Sequence, residues 1–241
     1  MSPQRFSLDR RVPLFYIGAC ALLAGCPGRL PPLVPQPLEP ADRDAAVAWA
    51  RATLPARRIA IRFRFKYQDS ERRWGGRGQA RIAPPDSLRF DYVGPLGLGA
   101  GAAVVVGDSA VWADPERNFR SLVPAVRLLW AGLGIVRLPA PDARVFSRSD
   151  PGGDHRREIW RFVEGADTLD YVVTSDGGRV LEAEWRRAGK RFARCTTQLD
   201  ARGLPARARL DFPEGPARFE LSVVAVDTAA VIDPALWRRR R

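Results

Sequence analysis

Ile59-Ala60-Ile61-Arg62-Phe63-Arg64-Phe65-Lys66-Tyr67 decides the fold. Its large apolar residues alternate with cations, Arg58 preceding the run and Ala60 alone being neutral on the second face. Successive side chains of a strand point to opposite faces, so this spacing gathers the aromatics on one side and the charges on the other. One face is buried and one is wet, as antiparallel sheets permit.

The pattern recurs outward from this strand. Further strands are predicted at Gly76 to Ile82, Ser87 to Val93, Ala102 to Val106, Ala110 to Ala113, Ala143 to Ser147 and Glu158 to Val163. Others follow at Thr168 to Thr174, Val180 to Arg186, Arg191 to Leu199, Ala206 to Phe212 and Ala217 to Val226. Turn-forming runs separate them, among them Ala83-Pro84-Pro85-Asp86, Gly107-Asp108, Ser175-Asp176-Gly177-Gly178 and Pro213-Glu214-Gly215-Pro216. Strands at this spacing predict an antiparallel meander closing into a barrel or half-barrel. Asp42 to Leu54 reads as a short helix ended by Pro55. Arg120 to Ile135 carries an apolar helical stripe of Leu122, Val126, Leu129, Trp130 and Leu133, and a helix inside a meander is expected across the concave face.

The opening of the chain has three parts. Arg5, Arg10 and Arg11 are basic, Val12 to Leu23 is apolar but shorter than the roughly 20 residues of a spanning helix, and Leu23-Ala24-Gly25-Cys26 follows. Leu-Ala-Gly-Cys resembles the bacterial lipobox, in which small residues admit the signal peptidase and the thiol takes diacylglycerol. Residues 1–25 are therefore expected to be a lipoprotein signal peptide and Cys26 the lipidation site. Prolines 27, 31, 32, 35, 37 and 40 then favour polyproline II, so residues 26–40 read as a tether. About fifteen residues at about 3.1 Å each would let the body stand roughly 45 Å off the bilayer. Pro27 stands where an Asp would retain an enterobacterial lipoprotein in the inner membrane, so by analogy the outer membrane is expected.

Residues 41–241 remain as one domain with a sizeable core. Hydrophobic and charged fractions of 46% and 27% suit a globular protein. Cys195 is then the last free thiol, which excludes an intramolecular disulfide and predicts a buried, inert side chain. A net charge of +12 would usually suggest nucleic acid. An exported chain is expected instead to meet anionic head groups, lipopolysaccharide or an acidic partner, unless the arginines simply solvate its surface.

Leu88-Arg89-Phe90-Asp91-Tyr92-Val93-Gly94-Pro95-Leu96-Gly97 resembles the strand and Pro-Leu-Gly loop of LolB-type outer-membrane lipoprotein receptors. Leu128-Leu129-Trp130-Ala131-Gly132-Leu133-Gly134, followed by Leu138-Pro139, is similar to that family's helix ending in a Leu-Gly step. Leu204-Pro205 and Phe219-Glu220-Leu221 match its final strands in pattern. The soluble carrier LolA shares the fold, and Pro85-Asp86-Ser87-Leu88-Arg89 would suit it too, but the lipidated cysteine points to the receptor side. The arginine-rich ending Trp237 to Arg241 and the glycine-dense Gly97 to Gly101 depart from the family.

The resemblance implies a mainly β (α+β) fold: a curved antiparallel half-barrel of about 11 strands, an N-terminal helix and a lid helix. It implies an apolar cavity for lipoprotein acyl chains or another lipid, filled from a periplasmic LolA-like carrier and emptied into outer-membrane lipids. The protein is then a monomer on the periplasmic face of the outer membrane, with no cofactor, metal, nucleic acid or enzymatic chemistry. By motif the membrane-inserting residue is Leu96, between Pro95 and Gly97 with Leu98 beyond, and a leucine held there is costly to expose to water. Packing beneath its own loop is the structural alternative.

The expected cavity wall is Phe63, Phe65, Leu88, Phe90, Tyr92, Val104, Val106, Trp112, Leu129 and Trp130. An aromatic stripe at strand spacing serves equally as filled core, in which case the protein is an anchored interaction module with a basic partner-binding face. Other candidate chemistry is weak. Gly97 to Gly101 lacks phosphate-loop spacing and precedes a strand. His155 has no metal-ligand or triad pattern around it, and Glu182 and Glu184 fall on the face expected to be wet.

Overall fold

The structure, a computed structural model, describes residues 32–34, 37–95, 99–115, 125–150, 156–213 and 215–238. The signal segment, Cys26, Leu96, Leu98, His155 and residues 120–124 of the expected lid helix lie outside the described residues.

From Leu33 onward the body contains strands β1 (Glu39–Pro40), β2 (Ile59–Gln68), β3 (Arg73–Ala83), β4 (Ser87–Val93), β5 (Gly101–Val106) and β6 (Ser109–Asp114). After these come β7 (Arg144–Asp150), β8 (Arg156–Glu164), β9 (Asp167–Ser175), β10 (Arg179–Arg187), β11 (Lys190–Leu199), β12 (Pro205–Phe212) and β13 (Ala217–Asp227). Helix α1 is Arg43–Arg51 and α2 is Val126–Gly132. All pair antiparallel in one 13-stranded sheet of order β1-β7-β8-β9-β10-β11-β12-β13-β2-β3-β4-β5-β6. Two meanders, β2–β6 and β7–β13, thus join where the last strand returns to β2, giving the expected curved, open half-barrel with α2 in the crossover between them.

Register turns the alternation of β2 into an inner face. Ile61, Phe63 and Phe65 oppose Ala80, Gly78 and Gly76 of β3, and Ala80 and Gly78 oppose Phe90 and Tyr92 of β4. From the other meander, Phe219 and Leu221 oppose Tyr67 and Phe65. All but the glycines belong to one continuous buried core. Helix α1 begins on Asp42, whose carboxylate accepts from the Asp44 and Ala45 amides at 3.3 and 3.1 Å. It buries Ala46 and Ala50 and stacks Trp49 on Trp160 of β8 at 5.4 Å.

Helix α2 has no capping side chain, and Leu128 to Gly132 are all buried, so packing rather than propensity maintains it. It lies against β10, β11 and β12. Gly132 allows the approach: a Cβ there would stand 3.1 Å from Leu210 Cδ1. Thr197 of β11 donates to the Ala131 carbonyl at 2.8 Å.

Side chains of α2 and its tail also tie distant parts of the sheet together. The Trp130 indole N–H donates to the Gly107 carbonyl in the β5–β6 turn at 2.8 Å, beneath the Arg137 guanidinium. Arg127 lies 3.3 Å from Asp108 in that turn and 2.8 Å from Glu164 at the end of β8. Strands near opposite ends of the sheet order are thereby clamped together.

The segment read as a tether departs from expectation. Leu33 and Val34 are 4% and 1% exposed, packed on Ile159 of β8 and Val172 of β9. Arg157 donates to the Leu33 carbonyl at 3.2 Å, and β1 pairs with β7. This strap lies on the outer face, since Trp160 and Tyr171, the neighbours of Ile159 and Val172, belong to the inner core. Its own apolar residues cover a sheet patch that would otherwise be exposed, so at Leu33 and Val34 the segment is packed chain and not free tether.

The outer face also corrects the reading of Glu184, which is not wet but fully buried. Arg191 holds it at 2.8 Å, and Asp170, also fully buried, is held by Arg161 and Arg186 at 2.6 Å each. Glu184 and Asp170 face each other across β10 and β9, so the arginines lying over them neutralise two neighbouring carboxylates.

Cys195 is buried as expected, beneath α2 and 3.5 Å from the Thr197 hydroxyl. Burial pushes its thiol up to about 12 from 9.0. Between those values the unfolded chain ionises while the native one does not, so this contribution to stability is complete below pH 9.0 and lost as pH rises towards 12. Native protein at pH 8 is expected to resist a thiol reagent at Cys195 for hours, and Cys195 to react within minutes in 6 M guanidinium. Rapid labelling of the native state would contradict this burial.

Candidate functional site

The inner face of β13, β2, β3 and β4 is a continuous aromatic wall. Phe63 stacks on Phe90 with centroids 5.1 Å apart, and Phe65 meets Phe219, Trp74 and Tyr92 at 5.7, 5.3 and 6.0 Å. Glycines make room for these rings. A Cβ on Gly78 would lie 2.5 Å from the Phe63 ring, one on Gly76 2.9 Å from Phe65, and one on Gly101 2.6 Å from Tyr92. The rings therefore lie down along the sheet instead of standing up from it. The wall runs to Pro95, which is exposed and opens the loop carrying the expected membrane-inserting leucine.

Phe63, Phe65, Leu88, Phe90 and Tyr92 all fall on this inner face, whereas Leu129 and Trp130 reach it from α2 over the other meander. Val104, Val106 and Trp112 do not belong to it, which corrects the expected wall. Val105 and Ala103 oppose Leu88 and Phe90, placing Val104 opposite Arg89 on the outer face. Trp112 opposes Val104, lies 5.5 Å from the Arg89 guanidinium and donates to the Trp237 carbonyl at 3.2 Å. Val106 is 40% exposed. An unbroken Ala102-Ala103-Val104-Val105-Val106 run has no polar residue to set its parity.

Sequence reasoning missed Phe219, Trp74 and the glycines. Gly76-Arg77-Gly78 does carry a signal, because glycines two apart in a strand mark close approach on one face. A cavity of about 200 Å³ lies near the C-terminal end of α2, lined by Leu54, Ile59, Ile135, Leu181 and Pro205, with Arg179 and Arg202 also in its wall. Phe63, Phe65, Phe90, Tyr92 and Phe219 are each no more than 3% exposed, so a hydrocarbon chain would have to part the core to lie against them, gaining dispersion contacts and apolar burial there.

No family model matches the chain, and no curated protein matches it. Solved structures do. A LolA superfamily protein from Nitrosomonas europaea aligns with a TM-score of 0.54 and 11% identity over 81% of this chain and 97% of that one. A putative outer membrane lipoprotein-sorting protein domain from Vibrio parahaemolyticus aligns at 0.39 and 6% identity, over 80% and 94% of the two chains. MucB aligns at 0.35 and 12% identity, over 82% and 62%. The first of these likenesses shows that the chain has the fold of a LolA superfamily protein.

Proposed function

We propose that the protein is an outer-membrane lipoprotein that binds acyl chains against the inner face of its half-barrel and passes lipoproteins or lipids into the membrane. The carrying observation is the aromatic wall on glycine-cleared strands, leading to the Pro95 loop. Transfer of this kind needs no bond made or broken. It runs on relative affinity, with burial against the wall competing with burial in the bilayer at about 25 cal/mol per Å² of apolar surface. A LolA-like periplasmic carrier would load the site, and Leu96 and Leu98, on the loop beyond Pro95, would meet the bilayer on delivery.

Lipidation at Cys26 fits this role, and the strap shortens its reach. Only about six residues, Pro27 to Pro32, separate the cysteine from the fixed Leu33, or roughly 20 Å of extended chain. The body would work close to the membrane rather than at the end of a long stalk. Cys26→Ser is expected to shift the protein from the membrane to the soluble fraction, because each acyl methylene contributes about 0.8 kcal/mol of anchoring. A variant still sedimenting with membranes would remove the anchor from the account.

Binding itself is tested on the purified full chain. Acyl-bearing lipid is expected to co-purify and to be identified by mass spectrometry, and a fluorescent fatty acid to bind saturably in the micromolar range. No bound lipid and no uptake would refute the function.

A further inference from the structure

The outer face is covered or neutralised over β8 to β11 and beside β4 and β6. The strap lies on β8 and β9, and the Asp170 and Glu184 network fills β8 to β11. Arg89 and Trp112 hold the carbonyls of Leu236 and Trp237 against β4 and β6. One region is different. Across β13, β2, β3 and β4, Ser222, Arg64, Arg77 and Val93 stand in one row, so two arginines face each other, with Glu220 and Asp91 one outward position away on β13 and β4. Like charges directly opposite are destabilising in a sheet.

Arg62 is the next outward residue on β2, opposite Gln79, and no described residue pairs with Arg62, Arg64 or Arg77. Asp91 is already engaged by Arg81 at 2.5 Å and Arg89 at 2.8 Å. A register shift between Val223 and Ala225 throws Val224 outward, 63% exposed. Between these residues lies an open groove of about 400 Å³.

We infer that this groove, formed by Arg62, Arg64 and Arg77 with Val93 and Val224, binds the phosphate headgroup of an anionic phospholipid. The opposed Arg64 and Arg77 bracket the phosphate, whose charge offsets their repulsion. Val93 and Val224 take the apolar atoms next to the headgroup. Arg64 and Arg77 alternate with the inward-facing Phe63, Phe65 and Gly78, and the groove also touches Phe63, Gly78 and Tyr92, so it reaches from the outward arginines to the edge of the aromatic wall.

The test uses the full chain in a neutral detergent, titrated calorimetrically with dihexanoyl-phosphatidylglycerol, dihexanoyl-phosphatidylcholine and inorganic phosphate. Phosphatidylglycerol is expected to bind about tenfold or more tighter than either of the others, and Arg64→Glu and Arg77→Glu each to lose about tenfold. Arg51→Glu, an exposed change on α1, should bind as the parent does. Arg64→Glu should melt no lower than the parent, since it turns a repelling cross-strand pair into an attracting one. Fatty-acid uptake should be unchanged in both groove variants. Parent-like phosphatidylglycerol binding in both variants, or no such binding in the parent, overturns the site. Inorganic phosphate binding as tightly as the lipid overturns its assignment to phospholipid.

Discussion

Asp170→Ala is expected to destabilise the protein by about 3–5 kcal/mol, the range for stripping one partner from a buried ion pair. Asp170 is fully buried and accepts from Arg161 at 2.6 and 3.1 Å and from Arg186 at 2.6 Å. Arg161 is itself only 6% exposed, so without the carboxylate its guanidinium remains buried without a counter-charge. At about 2–4 °C per kcal/mol for a domain of this size, the melting temperature should fall by roughly 6–20 °C. Asp170→Asn keeps the shape and should cost less. Replacing both partners with Arg161→Met and Asp170→Leu should recover most of the loss, because the penalty lies in the orphaned charge. Urea unfolding of the three variants measures this, and a loss below 1 kcal/mol for Asp170→Ala would show that the network is solvated.

Gly78→Val is expected to cost about 3 kcal/mol or more. A Cβ at Gly78 lies 2.5 Å from the Phe63 ring and 2.7 Å from the Asp91 carbonyl, and backbone cannot move aside as a flexible side chain can. Gly78→Ala should also destabilise, despite the usual gain from restricting the unfolded chain. Gly178→Ala is the matched control: nothing lies within 4 Å of its Cβ, so it should be neutral or slightly stabilising. Adding Phe63→Leu to Gly78→Ala should restore part of the stability, and the coupling in that double-mutant cycle measures the ring's contact with the glycine floor. Additive effects would mean the ring does not lie over Gly78.

Much of this fold is legible in the sequence because β2 states its parity at every position. Phe63, Phe65 and Tyr67 cannot share a face with Arg62, Arg64 and Lys66, and the neighbouring strands follow by register. Legibility fails where local chemistry is uniform or misleading. The all-apolar β5 gives no parity, which sent Val104, Val106 and Trp112 to the wrong face. Leu33 and Val34 stand among prolines, so their composition suggests free chain while their apolar area finds Ile159 and Val172. Glu184 alternates as an exposed residue should, but cross-strand arginines bury it, and such partners are fixed only by tertiary register. Of the 13 strands, only the Glu39–Pro40 edge, hidden in that same proline-rich stretch, lies outside the ranges read from the sequence.

The central claim is that acyl chains lie against the inner wall of β13, β2, β3 and β4. Photo-crosslinking with a diazirine fatty acid on the full chain, mapped by peptide mass spectrometry, tests it most directly. The account predicts adducts on Phe63, Phe65, Tyr92 and Phe219, abolished by excess unlabelled fatty acid. Adducts confined to outer-face residues such as Arg62 or Val224, or none that compete, would contradict it.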